Sequence, residues 1–224
     1  EVNIMFNKIL LLLTISFSFS LAHAAPLTVH FNDLADGNRS TSDGTGSNSI
    51  GEKGYQPYTF NFTTGLDLTV RGYETSGAES YAYMDRGNAG MGVCTILNNT
   101  QCNPSSDDNV SVGEYLRLTF NYDVRIESLT FNNNHDGGFS NTSIDIDGIV
   151  KSGLNGGAKT FNDSWLVNAG DFLDIAYVNS GDTTRRNHFY LETLVVSQVP
   201  EPSILFLMGS GLIGLTLIRR KRIG

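Results

Sequence analysis

Residues 115–120 read YLRLTF, a strict alternation of apolar and polar side chains. Successive side chains of a β-strand point to opposite faces, so Leu116, Leu118 and Phe120 would share one buried face. A similar alternation recurs in residues 126–131, which read IESLTF, and in residues 143–148, which read SIDIDG. This period of two predicts half-buried strands and an all-β fold.

Further strands of this kind are predicted along the whole of residues 25–200. They lie at residues 27–31, 58–62, 66–70, 81–83, 160–161, 165–167, 172–177 and 189–196. Gly, Asn, Asp and Ser separate them, and no helix longer than a turn or two is expected. Such a series of short strands predicts an antiparallel two-sheet sandwich that is jelly-roll-like.

The connections between strands carry two turn signals and one long irregular segment. Tyr122-Asp123 and Gly170-Asp171 predict tight hairpin turns, one between residues 120 and 126 and the other between residues 167 and 172. Residues 32–57 have no periodicity and are rich in Gly, Ser, Asn and Asp. They predict a long surface loop, held by a bound ion or by packing of Ile50 and Tyr55.

The size and charge of residues 25–200 limit the classes of function. The length suits one domain with a full core. Residues 25–200 contain twenty-one acidic and ten basic side chains. An acidic surface repels nucleic acid and anionic lipid, so no nucleic-acid partner is expected.

The first residues have the features of a secretory signal peptide. Lys8 precedes an apolar stretch at residues 9–21, and Ala22-His23-Ala24 forms an A-x-A cleavage site. We expect cleavage after Ala24, which makes residues 1–24 the signal peptide. Met5 is then the initiator, and residues 1–4 are an upstream extension.

Residues 199–224 predict a membrane anchor. An uncharged apolar run covers residues 203–218 and is followed by four cations, Arg219, Arg220, Lys221 and Arg222. As a single transmembrane helix the run would be roughly 24 Å long, short of the ~30 Å hydrocarbon core, so it needs local thinning or snorkelling flanks. The cations hold that end on the cytoplasmic side, which places residues 25–198 outside the cytoplasm. A buried core helix fits less well, because core helices are amphipathic.

The motif before this run points to a sorting system. It consists of Val199, Pro200, Glu201 and Pro202. Together with the apolar run and the cations it resembles the PEP-CTERM sorting signal of Gram-negative bacteria. The resemblance implies an exosortase-like membrane protease as partner, inner-membrane anchoring before processing, and release to the cell surface or the exopolysaccharide matrix.

Cys94 and Cys102 are the two cysteines of the chain, and both lie in the part predicted to be exported. Disulfides persist in that environment, so we predict that the two are bonded. The short loop gives a chain-entropy stabilisation of roughly 2.5 kcal/mol. A metal pair or a nucleophilic thiol is disfavoured, because no histidine is near in sequence.

The segment around these cysteines offers candidate calcium ligands. Residues 85–94, 105–110 and 114–120 resemble a block found in a subset of PEP-CTERM proteins, a resemblance that implies no activity. Asp107, Asp108, Glu114 and the carbonyl of Asn109 present the hard oxygen ligands that Ca²⁺ takes. The alternative is a solvated acidic loop that caps its own amides. Apart from calcium, no cofactor is expected.

Catalytic motifs are missing from the sequence, so we expect a non-enzymatic protein of the cell surface or matrix with glycan as a candidate ligand. Sugars stack on exposed aromatic rings. The candidate rings are those of Tyr55, Tyr58, Tyr73, Tyr81 and Tyr83, although core packing is an alternative role for each. The competing hypothesis is a secreted enzyme that degrades or modifies glycan, which needs two carboxyl groups roughly 5 to 9.5 Å apart in a cleft.

Overall fold

The computed structural model describes residues 25–36, 51–178 and 188–200. These residues fall almost wholly within one compact unit, His23–Val199. Across the described ranges, every helix is too short or too polar to traverse a bilayer. The predicted signal peptide, Ile50, Glu201, Pro202, the apolar run and the four cations that follow it lie outside the described residues.

Strands dominate the described part of the chain. Strand β1 (Leu27–His30) leads directly into a single-turn helix, α1 (Phe31–Asp36). The next seven strands are β2 (Lys53–Tyr55), β3 (Tyr58–Asn61), β4 (Asp67–Glu74), β5 (Glu79–Asp85), β6 (Gly90–Cys94), β7 (Leu97–Asn98) and β8 (Gln101–Cys102). The remaining eight are β9 (Glu114–Phe120), β10 (Val124–Asn132), β11 (Phe139–Ile146), β12 (Ile149–Gly156), β13 (Lys159–Phe161), β14 (Trp165–Val167), β15 (Phe172–Val178) and β16 (Tyr190–Gln198).

The period of two in the sequence produces these strands. In β9, Leu116, Leu118 and Phe120 are buried, while Tyr115 and Arg117 between them are partly exposed. Each face of the strand therefore matches one class of side chain, as expected for a sheet with one face on the core. All strand pairs in the described residues are antiparallel, and the all-β prediction is confirmed.

Backbone pairing arranges the strands in two groups. We call the group β12-β11-β15-β9-β4, with β3 beside β4, the first half-sheet. The second half-sheet is β5-β6-β16-β10-β13, with β1 beside β16, β2 beside β5 and β14 beside β10. Strands β7 and β8 form a separate hairpin.

The two half-sheets are joined, which differs from the prediction of two separate sheets. Strands β4 and β5 are the arms of one hairpin and pair at Gly72↔Ser80 and Tyr73↔Glu79, so the hydrogen-bonded path runs through ten strands, and the four that pair beside it complete a fourteen-stranded sheet. A side chain at Gly72 would lie 2.6 Å from the carbonyl oxygen of Tyr81. Glycine therefore lets β5 cross closely over β4 before it pairs with β6.

Both half-sheets contribute to one hydrophobic core. Leu68 and Leu118 from the first, and Ile126 and Leu194 from the second, belong to the same cluster of buried side chains. The helix α1 adds to it, since the ring of Phe31 meets the ring of Phe60 edge-on at 5.5 Å. The core thus forms between the half-sheets rather than within either one.

The two predicted hairpin turns are wrong. Strand β9 pairs with β4 and β15, whereas β10 pairs with β13, β14 and β16. The turns at Asp123 and Gly170 therefore carry the chain from one half-sheet to the other. They lie together, because the Gly170 amide donates to the Phe120 carbonyl (3.0 Å) and the Ala169 amide to Asp123 Oδ1 (2.7 Å).

The predicted loop at residues 32–57 also needs correction. Its first residues form α1, with Phe31, Leu34 and Ala35 buried at the i, i+3, i+4 spacing of a helical face. Its last residues include β2, where Lys53 pairs with Met84 of β5. Residues 37–50 lie outside the described part of the chain.

Candidate functional site

The predicted disulfide is present between Cys94 and Cys102, whose Cα atoms are 5.8 Å apart. It closes the β7–β8 hairpin and packs against the buried ring of Tyr83. Among the described residues, one group of three potential metal ligands lies within 4.8 Å, and it consists of these two sulfurs and an Asp107 oxygen. The sulfurs are bonded to each other, so the group is a staple rather than a metal centre.

Two of the predicted calcium ligands accept hydrogen bonds from groups in nearby loops. Asp107 Oδ2 accepts a hydrogen bond from the Thr95 amide at 3.0 Å. Glu114 Oε2 accepts from both the amide and the hydroxyl of Ser111, each at 2.8 Å. Burial raises the pKa of Glu114 to about 7, although the Ser111 bonds oppose the shift. Both side chains therefore act as local caps in this structure.

Asp108, the third predicted ligand, accepts a hydrogen bond from a distant part of the chain. It is buried, and its Oδ1 accepts a hydrogen bond from the Tyr190 hydroxyl at 2.8 Å. The carboxylate oxygens of Asp107, Asp108 and Glu114 do not gather within 4.8 Å of one another in the described structure. Calcium binding by these three residues stays a prediction.

Asp108 belongs instead to a group that we call the carboxylate cluster. Its members come from four segments of the chain: Asp85 at the end of β5, Asp108 before β9, His135 and Asp136 after β10, and His188 and Tyr190 around the start of β16. The Tyr190 hydroxyl lies 2.8 Å from Asp108 and 3.3 Å from Asp136 Oδ2. Nε2 of His188 lies 2.8 Å from the same Asp136 oxygen. The Tyr190 hydroxyl thus lies between two carboxylates, and the His188 imidazole contacts one of them.

Asp85 is a buried member of the carboxylate cluster with one oxygen that lacks a hydrogen-bond partner. Only 4 % of it is exposed, its Oδ1 accepts from the Arg86 amide, and its Oδ2 has no hydrogen-bond donor. Nδ1 of His135 is 3.6 Å from that oxygen but 3.0 Å from the Arg86 carbonyl. A carbonyl can only accept, so Nδ1 carries its proton toward Arg86. Burial, reinforced by Asp108, raises the pKa of Asp85 to about 7.

The outward face of the first half-sheet carries an aromatic platform formed by Tyr73, Tyr115 and Phe172. The rings of Tyr73 and Tyr115 stack at 5.0 Å. The guanidinium of Arg117 lies 3.6 Å from the centre of the Phe172 ring and binds both oxygens of Asp174 at 2.7 Å. Such a bidentate pair fixes a guanidinium against an aromatic face. The platform is therefore a preformed surface.

A groove of about 290 Å³ adjoins this platform. It is lined by Tyr115, Asp145, Asp147, Gly148, Asp174 and Ala176. The Oδ1 atom of Asp145 is shielded from solvent and has no hydrogen-bond partner in the structure. The groove therefore combines one ring wall with polar acceptors, a combination suited to a ligand rich in hydroxyl groups.

The five tyrosines predicted as glycan contacts divide into two groups. Tyr58 and Tyr83 form the first group and are core residues, with 4 % and 1 % of their surface exposed. The residues of the second group are at least partly exposed, and Tyr55 among them is 42 % exposed. Tyr73 lies on the aromatic platform, and Tyr81 is partly buried against the disulfide. The sequence reasoning missed Tyr115, although its place in the alternation of residues 115–120 opposite buried Leu116 indicated an outward ring.

Comparison with known proteins identifies one segment. Residues 198–222 match the family model of the PEP-CTERM protein-sorting motif. No curated protein and no solved structure matches the chain. The matched residues coincide with the Val199 to Pro202 motif, the apolar run and the basic cluster. Residues 198–222 are therefore a PEP-CTERM protein-sorting motif, which implies processing by an exosortase and indicates an exported protein that is anchored in the membrane before processing.

Proposed function

We propose that this chain is a non-enzymatic protein of the cell surface or extracellular matrix, whose β-domain binds glycan after an exosortase has processed residues 198–222. The sorting motif carries the delivery part of this proposal. The stacked Tyr73–Tyr115 pair beside the groove carries the glycan part.

The proposal includes a finer view of the architecture. One core lined by both half-sheets and two adjacent crossing turns support a jelly-roll-like sandwich of two layers joined at the β4–β5 hairpin. The apolar run at residues 203–218 would serve as a transmembrane helix until processing.

Glycan recognition follows from the chemistry of the aromatic platform and groove. The C–H faces of a sugar ring pack against aromatic rings, and its hydroxyl groups donate to carboxylates. The Tyr115 ring borders the groove, and the carboxylates of Asp145 and Asp147 line it. Arg117 and Asp174 neutralise each other, so the remaining acceptors are those of Asp145 and Asp147.

The glycan proposal is tested with purified residues 25–200 on a glycan array, followed by titration of any hit. Removing one stacked ring in Tyr115→Ala should weaken binding about 2- to 13-fold, since an aromatic contact contributes roughly 0.5–1.5 kcal/mol. Tyr122→Ala is the matched control, because Tyr122 is an exposed tyrosine in the turn between β9 and β10 and is not one of the candidate rings. Equal affinities for both variants would contradict the assignment.

Delivery is tested by Glu201→Ala in the full chain. We expect the precursor to accumulate in the membrane fraction at unprocessed mass, because the central residue of the Pro-Glu-Pro motif is lost. Arrival of this variant in the matrix at the same mass as the parent protein would overturn the sorting role.

Calcium is the candidate ion for the loop of Asp107, Asp108 and Glu114. A site filled at a hundredfold excess over Kd stabilises the folded state by about 2.7 kcal/mol, which raises Tm by roughly 5–10 °C for a domain of this size. The measurement compares melting in millimolar calcium, magnesium and chelator. The double variant Asp107→Ala with Asp108→Ala should lose the calcium response, and an equal response would exclude these ligands.

The groove also supports a second candidate, a glycan-degrading or glycan-modifying enzyme. Asp145, Asp147 and Asp174 gather there, and paired carboxyl groups in a cleft are what glycoside hydrolysis requires. Asp174 is occupied by Arg117, which leaves Asp145 and Asp147 as the candidate acid and base. Release of reducing sugar that Asp145→Asn or Asp147→Asn abolishes would favour this function over simple binding.

A further inference from the structure

The last strand of the domain lies in the interior of the second half-sheet. Strand β16 pairs with β10 along its whole length, from Asn132↔Tyr190 to Val124↔Gln198. On its other side it pairs with β1, from His30↔Thr193 to Leu27↔Val196. The backbone of this strand is therefore held by two neighbours over residues 193–196 and by one neighbour up to its end.

The sorting motif overlaps this strand. The family match begins at residue 198, and Gln198 is the final residue of β16. The next residue is also held, because the Val199 amide donates a hydrogen bond to the Asp123 carbonyl at 2.8 Å. Only Pro200 separates this bonded residue from Glu201. The motif thus starts inside the folded domain, without a linker.

This placement restricts how a protease can reach the motif. A protease binds its substrate as an extended segment, and a backbone already paired in a sheet cannot enter a binding cleft. Cleavage within a folded region then proceeds through local opening, at a rate proportional to the open fraction. Two or three net hydrogen bonds correspond to an open fraction on the order of one in ten to one in a hundred.

We propose that the exosortase processes only those molecules in which residues 197–199 have separated from β10, so that the folded domain sets the rate of its own release. The inference rests on the proposed sorting function and adds the residues just before Pro200 to the determinants of processing. The bonds concerned are the end of the β10–β16 ladder and the Val199–Asp123 bond.

The test is a pulse-chase measurement of precursor processing in a host that contains the cognate exosortase. A six-residue Gly-Ser spacer between Gln198 and Val199 keeps the Val-Pro-Glu-Pro order and frees it from β16. Processing of this variant should be about ten- to a hundredfold faster than that of the parent chain. The matched control places the same spacer after Gly77, in the exposed turn between β4 and β5, where a side chain would meet nothing within 4 Å.

Two outcomes are separable. Equal processing rates for the parent chain and the Gln198 spacer variant would overturn this inference and leave the sorting function standing. Glu201→Ala in the spacer background should abolish processing, and continued cleavage would show that a different protease acts there. Such a result would overturn the sorting function and the inference together.

Discussion

Asp85 shows what burial does to one carboxyl group. An aspartate in an unfolded chain has a pKa near 3.9, whereas the pKa of Asp85 is raised to about 7, by burial first and by Asp108 second. Below pH 4 the group is protonated in both states. Between pH 4 and pH 7 the folded state binds more protons, so the free energy of unfolding falls as pH rises.

Replacing Asp85 by Asn should remove this pH-dependent loss. We expect Asp85→Asn to melt higher than the parent domain at pH 8 and near the parent at pH 4.5, with a difference at pH 8 on the order of 2–4 kcal/mol. Asn keeps an Oδ1 acceptor for the Arg86 amide. Chemical denaturation at both pH values measures the change.

Asp171→Asn provides the control, because Asp171 is exposed and should show no gain at pH 8. If Asp85→Asn is destabilised equally at both pH values, the ionised carboxylate of Asp85 does not destabilise the folded state.

Sequence reasoning at the residue scale found the acids but not their neighbours. Asp108 was identified as a metal ligand from its position beside Asp107, yet its hydrogen-bond donor is Tyr190, eighty-two positions away. His135 and Arg86 meet across forty-nine residues in the same way, since His135 Nδ1 bonds the Arg86 carbonyl next to Asp85. Local spacing carries no record of such contacts, which depend on strand order.

At the scale of an element, β6 is the clearest departure from its sequence. Residues 90–94 read GMGVC, a glycine-rich segment without apolar-polar alternation, but they form a strand in which all five residues are buried. A side chain at Gly90 would lie 2.5 Å from the Leu191 carbonyl oxygen, and one at Gly92 would overlap the Asp108 carbonyl. The glycines therefore permit close backbone approach within a buried strand.

We predict that Gly92→Ala destabilises the domain by more than about 3 kcal/mol, because the added methyl group meets backbone that cannot move independently. Gly157→Ala is the control, since its nearest neighbour would be Asn134 Oδ1 at 3.9 Å. Urea unfolding compares the two. A Gly92→Ala midpoint close to that of Gly157→Ala would mean that the chain relaxes around the methyl group.

Most of the other strands were predictable because their amphipathic alternation reflects a core on one face only, whereas β2, β7, β8 and β12 were not predicted. Their partners were not, as the turns near Asp123 and Gly170 show. A turn signal marks where a strand ends. It does not predict whether the chain then returns beside that strand or crosses to the other half-sheet. Long-range pairing decides that question.

At the scale of the whole molecule, the domain is closed by the pairing of its first and last strands. Strand β1 lies against β16, and Val29 pairs with Leu194. Both side chains are fully buried. Contacts of such sequence separation form only after residues at both ends are available, which makes folding slow compared with that of proteins rich in local contacts.

A domain that begins after β1 should therefore not fold. We expect purified residues 31–200 to lack a cooperative melt, whereas residues 27–200, which keep β1, should melt within a few degrees of residues 25–200. Near-UV circular dichroism and thermal scans measure this. A cooperative melt of residues 31–200 would show that β1 is dispensable.

Export and sorting could be inferred from sequence because both are encoded in contiguous segments. The sorting motif at residues 198–222 is an example, and the family comparison confirms it. The groove of the first half-sheet could not be inferred from sequence, because its residues come from strands that are not neighbours. Tyr115 lies in β9 and Asp145 in β11, and β15 separates these two strands in the sheet.

The β1–β16 pair also brings the two ends of the domain to one edge. Leu27 and Val196 are directly opposed, so the backbone enters and leaves the sheet side by side. A short peptide could join residue 25 to residue 199, and new termini could open in the exposed turn at Gly77. Such a circular permutant would keep every strand pair while moving the C-terminus away from the domain's original end. The same geometry would allow the domain to be inserted into a surface loop of another protein.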